Sequence, residues 1–529
     1  MRSSRLGKSW RPGRLRIRRA FPERSIAMRT GQILIALVAG VMLAFAASGG
    51  KAQTACSAML ITDPTSADFL TGDTPFGHTQ DGMNCYGWQM FLSLNWPADP
   101  GWPQTPAMAG EPDRSATIAD FGLPGPAGQP MQRPTVWQSF MPAPEIFKPF
   151  AAMPTGWGET SPPPASCGSA SLAASAGSIR MLNAVSKSAV SPRHGFNLDT
   201  GTMSSISDEI EEATGGWLTD QKGKLVFFER MIGKAEYDYI VAKGLYDAAN
   251  QLKVATNADG ATPEGLSLPK GTPPGSAVQN QDELGAFELK AAWRNLTGLD
   301  DLYGRYLTST VYLLYPDGSC EKAVVGLVGL HIIHKTASMP DFVWSTFEQI
   351  DNVPGASAPE VDFSFNNPAS NAKPNQMPHC VNGVCDYSLP IQVTREVAIP
   401  AGVAQTNRDV QQLLADRTGG KSVFQYYQLV NVLWDGAPTP PSPEPGANAQ
   451  VPLVYGTFQT DGSVPVANTT METYAQQFTP GLGPSCTACH KGATIANSAT
   501  LASDFSFLFS TASSATKLPG LFISRDFVP

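Results

Sequence analysis

The stretch TSTVYLLYPDGSCEKAVVGLVGLHIIHK, residues 308–335, reads as a β-hairpin. β-Branched, aromatic and aliphatic residues fill 308–315 and 323–333, and Pro316-Asp317-Gly318-Ser319 between them has turn chemistry. β-Structure therefore sits in the middle of the chain. A second hairpin is expected at 453–460, with Asp461-Gly462 at its turn. Helical periodicity appears at 235–254, at 284–296, and at 407–417, where Asn407 is a candidate cap and Gly419-Gly420 a stop. The Trp-rich strings NCYGWQMFLSLNWP and TVWQSF near the start have the character of core elements. Helices and strands mix without regular alternation, and no repeat of fixed period is visible. The expected class is α+β, with a large β-rich mixed body.

Composition agrees with a large core, since 42% of the 529 residues are apolar, 9% aromatic and only 16% charged. The 49 Gly and 45 Pro imply many turns and long loops, and three segments read as loops: 160–175, 260–281 and 436–450. Only the last suits a boundary. The expected organisation is a body over 53–435, a Pro-rich linker or loop over 436–450, and a segment over 451–529 packed on the body.

Upstream, 33–47 form an uninterrupted apolar run, with Arg29 before it and Ser48, Gly49, Gly50 and Ala52 after it. This is the pattern of a secretory signal peptide over 1–52, and the run is too short for a membrane span. Met28-Arg29 is a sufficient start by itself, which makes the Arg-rich 1–27 a candidate mis-called extension. Residues 1–52 hold 11 of the 37 Lys and Arg but only Glu23 of the 45 acids, so the remainder carries 26 basic against 44 acidic side chains, a balance of −18. An acidic chain of that kind argues against nucleic acid and anionic membrane as partners and is compatible with a basic redox partner.

The pentapeptide Cys486-Thr487-Ala488-Cys489-His490 has the C-x-x-C-H form that attaches c-type haem. Two thiols three positions apart can form thioethers to the vinyl groups of one porphyrin, and the adjacent imidazole then falls beneath the iron as proximal ligand. With this composition chance produces such a string with a probability on the order of 10⁻³. A zinc site would need a second ligand pair nearby, and none follows Cys489. Six further cysteines, an even number for an oxidising compartment, point to disulfides. Cys380 and Cys385 bracket a turn and are the pair most easily closed locally. Of the three pairings open to Cys56, Cys85, Cys167 and Cys320, Cys56 with Cys85 is preferred.

Small soluble cytochromes take a distal Met from downstream of the motif. Only 39 residues follow His490 here, and they contain neither Met nor His. The other axial position is therefore filled from upstream or left open. His331 and His334 end the apolar strand and are the candidates for a distal ligand, a distal-pocket residue or a catalytic group. A separation of three puts them on opposite faces of a strand, which disfavours joint chelation, with Glu348 or without it. Lys335 could meet a propionate or substrate; Met471 and Met339 are fallback ligands. Phe505 and Phe509, in SDFSFLFSTA, are candidates to cover one porphyrin face, and Trp344 and Phe347 form another dense patch.

The strings GLVGLHIIHKT, VWSTFEQIDN, VANTTMETYAQQ and CTACHKGA, in that order, resemble a family of large exported monohaem cytochrome c proteins of Gram-negative bacteria. The resemblance spans most of 80–515. It implies one covalent haem c at Cys486 and Cys489 and iron ligation by His490, on a chain that is not a small stand-alone cytochrome c fold, and it transfers no substrate. The C-terminal placement of the motif is similar to that in cytochromes c′, where the iron is often five-coordinate. The resulting expectation is a periplasmic monohaem cytochrome in electron transfer, acting as or with an oxidoreductase on a small molecule, its partner a redox protein or that substrate. The rival expectation is a haem peroxidase or oxygenase with an open distal site, or a haem-based sensor. No nucleotide-binding fingerprint, G-x-S-x-G or second C-x-x-C-H supports other chemistry.

Overall fold

The computed structural model describes residues 55–159, 167, 180–183, 216–256, 266–273, 278, 280–315, 319–355, 362–379, 381, 386–434, 466–476, 486, 490, 493–498 and 501–515. The hairpin expected at 453–460, the 436–450 linker, the signal peptide, Cys380, Cys385 and Cys489 all lie outside these residues.

The hairpin of 308–335 forms β5 (Thr308–Leu314) and β6 (Cys320–His334), antiparallel, with Leu314 opposite Cys320. Around them stand β1 (Met141–Pro142), β2 (Met181–Asn183), β3 (Val226–Ile232), β4 (Phe287–Asn295), β7 (Val343–Gln349) and β8 (Tyr427–Trp434). All the strand pairings are antiparallel except β2 with β5. β2 joins β3 to β5, so β3, β4, β6, β5 and β2 close into a circuit, and β7 and β8 extend the sheet from the far end of β6. The class is thus a mixed α and antiparallel β fold.

β4 corrects a sequence expectation. Residues 284–296 are not a helix: a 3-10 turn, Gln281–Leu284, leads into β4, which is hydrogen-bonded to β3 on one side and β6 on the other. Ala, Leu, Glu and Lys favour helix weakly, and two ladders override that preference. The periodic stretch 235–254 is two helices, α2 (Lys234–Lys243) and α3 (Ala248–Ala255). The break is at Gly244, whose φ of 63° closes α2 before Asp247 caps α3. The helix expected from Asn407 begins earlier, as α4 (Ala401–Thr418), and Gly419 ends it in the left-handed region as expected. Asn407 is not its cap. Its Oδ1 accepts from Trp88 Nε1 and Leu429 N, and its Nδ2 donates to Leu429 O.

The Trp-rich string near the start is α1 (Gln80–Leu94), capped by Thr79 and buried at thirteen positions. A helix buried on every side belongs inside a core, and its polar Gln89 and Ser93 are satisfied there by hydrogen bonds to Phe69 O. α1 and α4 cover the sheet face that carries Leu289, Leu330, Ile332 and Phe347. A Cβ at Gly87 would stand 2.8 Å from Val432 Cγ2, so only glycine lets α1 approach this closely. Cys56 and Cys85 fasten the preceding turn to α1 in the preferred pairing (Cα–Cα 5.4 Å), and Cys167 is bonded to Cys320 at the start of β6 (4.8 Å). The opposite face, bearing Ile232, Ile333, Trp344 and Leu433, is covered by α2, α3 and residues from 466 onward. No described helix is long and apolar enough to cross a membrane.

Candidate functional site

Residues 466–476 lie against this second face. Asn468 Nδ2 donates to Thr346 Oγ1 (2.9 Å) and Phe347 O (2.8 Å), and Thr469 N donates to Glu348 Oε1 (2.5 Å). Gly329 makes the approach possible, because a Cβ there would overlap Thr470 Oγ1. A turn in which Asn468 N donates to Glu472 Oε2 (2.8 Å) and Glu472 N to Asn468 O (2.9 Å) sets the Glu472 carboxylate 3.5 Å from His331 Nε2. The nitrogen and that oxygen are at ion-pair distance, and Nε2 is buried with no hydrogen-bond partner.

His490 comes to the same face. Its Nδ1–H donates to the carbonyl of Phe505 at 2.8 Å, and its ring lies 4.5 Å from that of Trp344 and 4.8 Å from that of Phe507. The carbonyl is presented by a strained turn: Asp504 and Phe505 have φ of 55° and 67°, a region costly for residues with a Cβ. Asp504 holds it, accepting from Leu268 N (2.6 Å) and forming an ion pair with Lys335 in which both side chains are buried. Burial pushes the His490 pKa down to about 4, and the charges of His331, Lys290 and Glu472 act on it as well. The imidazole is therefore neutral at pH 7, with its proton on Nδ1 and its lone pair on Nε2. Cys486 is half-buried and packs on the cluster containing Ile333, Trp344 and Phe505.

Three basic side chains stand in register across β3, β4 and β6: Arg230 opposite Lys290, and Lys290 opposite His331. Burial pushes Lys290 down to about 8, with Glu472 opposing and Arg230 adding to the effect. Two residues along the same strands, Glu288 and Glu236 of α2 form a buried carboxyl pair. Burial raises both, Glu236 well above its ordinary value and Glu288 to about 7, and the charge of Glu288 raises Glu236 further.

His334 faces the other way, as the spacing of three requires. It is buried against α1, with Nδ1 2.5 Å from Tyr86 OH, Nε2 2.7 Å from Leu284 O, and its ring stacked 3.7 Å from Phe287. It is a satisfied core histidine, and its candidacy as a ligand or catalytic group ends there. The conceivable His331, His334 and Glu348 site does not assemble, since Glu348 is engaged by Thr469 N and Arg395. Among the described residues no group of three His, Cys, Asp or Glu is arranged to hold a metal ion. Lys335 is committed to Asp504, which removes it from a propionate or substrate. Met339 and Met471 pack in hydrophobic clusters other than the one holding Trp344 and Phe505. Phe505 gives its carbonyl to His490 and sets its ring 6.3 Å from that of Trp344, while Phe509 lies 5.9 Å from Phe147 and Phe507 is the ring beside His490. Sequence reasoning missed Arg230, Lys290 and Glu472.

No family model, curated protein or solved structure matches the chain.

Proposed function

We propose that this chain is an exported, periplasmic monohaem c-type cytochrome that takes part in electron transfer, as or with an oxidoreductase acting on a small molecule. One haem would be held covalently by Cys486 and Cys489, with His490 as the proximal iron ligand. The observation that carries the reading is the state of His490: half-buried, neutral, its Nδ1–H committed to the Phe505 carbonyl and its Nε2 carrying the lone pair that a metal would take. A ligating histidine is generally oriented through its other nitrogen in this way. The residues present thus fit the group, with Trp344 and Phe507 excluding water beside the imidazole. Bound there, haem supplies a one-electron carrier or, with a vacant sixth position, a place for a small ligand. Two disulfides and the apolar run at 33–47 support an oxidising, exported setting.

A second reading, catalysis or sensing at an open distal position, draws on His331, whose buried Nε2 has no hydrogen-bond partner. The purified protein should keep its haem through acid-acetone extraction and denaturing electrophoresis, and Cys486→Ser with Cys489→Ser should abolish the stain. Loss of the haem on extraction refutes covalent attachment. If His331 is the sixth ligand, His331→Ala turns a low-spin spectrum high-spin. A wild-type spectrum that is already high-spin and responds to carbon monoxide selects the open-site reading.

A further inference from the structure

We propose that Arg230, Lys290 and His331 form a binding site for a carboxylate or small oxyanion. Their register places the three side chains side by side on one sheet face, in adjacent strands. Like charges directly across a ladder destabilise it, so the pairing of Arg230 with Lys290 is a cost, which Glu288 and Glu472 oppose by charge without a direct ion pair to either. Neither Arg230 nor Lys290 makes a hydrogen bond or an ion pair with any described residue, Lys290 Nζ meeting only the Phe228 ring at 5.8 Å, and His331 Nε2, 3.5 Å from Glu472, is buried without a hydrogen-bond partner. Five other buried or half-buried cations among the described residues are matched by carboxylates. Arg180 is paired with Glu229, Arg294 with Asp220, Arg305 with Asp351, Lys335 with Asp504 and Arg395 with Glu348.

Two carboxylates approach the row without closing it. Glu472 stands 3.5 Å from His331 and acts on Lys290 at longer range, while Glu288, diagonal to Arg230, acts on it by charge without a direct ion pair. An arginine fork and an adjacent ammonium are the combination that recognises a planar carboxylate or a tetrahedral oxyanion through charge-assisted hydrogen bonds. His490, on the same face, is near enough for the charges of Lys290 and His331 to act on it. The anion would therefore be either a propionate of the haem proposed above or a free anionic substrate. The proposal rests on that reading only for its first source.

The holoprotein is titrated with nitrite, sulfate and acetate by isothermal calorimetry, alongside Lys290→Met, Arg230→Gln and the conservative Lys290→Arg. Saturable binding that weakens about tenfold or more in Lys290→Met and recovers in Lys290→Arg supports a free-anion site. No binding of the added anions, together with a fall in haem reduction potential and loss of its pH dependence in Lys290→Met and Arg230→Gln, supports a propionate already in place. No binding and an unchanged potential in both variants overturn the proposal. Thermal unfolding separates a purely structural role: relief of the Arg230–Lys290 repulsion leaves Lys290→Met at least as stable as the wild type, and a marked loss of stability counts against the site. A preparation without haem that still binds the anions would refute the cytochrome reading while leaving the anion site standing.

Discussion

His334 makes acid stability a test of which face of β6 is the site. Burial holds its pKa near 3, against about 6.5 for an exposed histidine. The hydrogen bonds explain why no proton is taken up: Nε2–H donates to Leu284 O and Nδ1 accepts from Tyr86 OH, so the neutral tautomer already fills both positions. As the folded pKa is depressed, the unfolded chain binds the extra proton first, and stability falls as pH drops from about 6.5 toward 3. Between pH 7 and pH 5 linkage gives a loss of about 2 kcal/mol from this one group. His490 contributes in the same direction where it carries no iron, and Glu288, raised to about 7, in the opposite one. Both are unchanged in His334→Leu, so the difference between the two proteins isolates His334. The variant should lose roughly 2–5 kcal/mol at pH 7, because Tyr86 OH and Leu284 O are left buried without a partner. It should then lose about 2 kcal/mol less than the wild type on acidification. Urea unfolding at pH 7, 6 and 5, followed by circular dichroism, measures both. Equal pH slopes in the two proteins, or a change in the spectrum of the proposed haem in His334→Leu, would refute the assignment of His334 to the core.

Two further outcomes are expected. Lys335→Met strands the Asp504 carboxylate in a site where the two side chains are only 2% and 5% exposed, and should destabilise the protein by about 3–5 kcal/mol, measured by the same unfolding experiment. A loss under 1 kcal/mol would mean that the strained 504–505 turn does not depend on this ion pair. Gly329→Ala drives a methyl group into Thr470 and should cost about 1–3 kcal/mol; a neutral result would place 466–476 away from β6.

The hairpin around β6 was legible because β-branched runs flank unmistakable turn residues, and the opposite orientation of His331 and His334 followed from their spacing alone. The anion row was missed through one misread period. Phe287, Leu289, Ala291 and Trp293 alternate with Glu288, Lys290 and Arg294, which is a strand pattern, but helix-favouring residue types masked it. Once 284–296 is taken as a helix, Lys290 loses its cross-strand neighbours and looks like surface. Glu472 and the role of the Phe505 carbonyl were not readable at all. Both depend on contacts across more than a hundred residues, such as Thr469 with Glu348 and Lys335 with Asp504, and on a left-handed turn at two residues that are not glycine.

Those long-range contacts make the pentapeptide a poor candidate for transplantation. A fragment beginning at Val466 would carry both cysteines and His490, together with the Phe505 carbonyl that orients the imidazole. It would lack Trp344 beside the ring, Lys335 beneath the turn, and Gln251, whose Oε1 accepts from Ala496 N (2.9 Å). In the small cytochromes the wrapping and the attachment come in one short module. On the reading proposed above, the seat would be made by residues of the middle of the polypeptide and the tether by the pentapeptide, so excising the pentapeptide, or grafting it onto another scaffold, would deliver a thiol pair with nothing to press a porphyrin against.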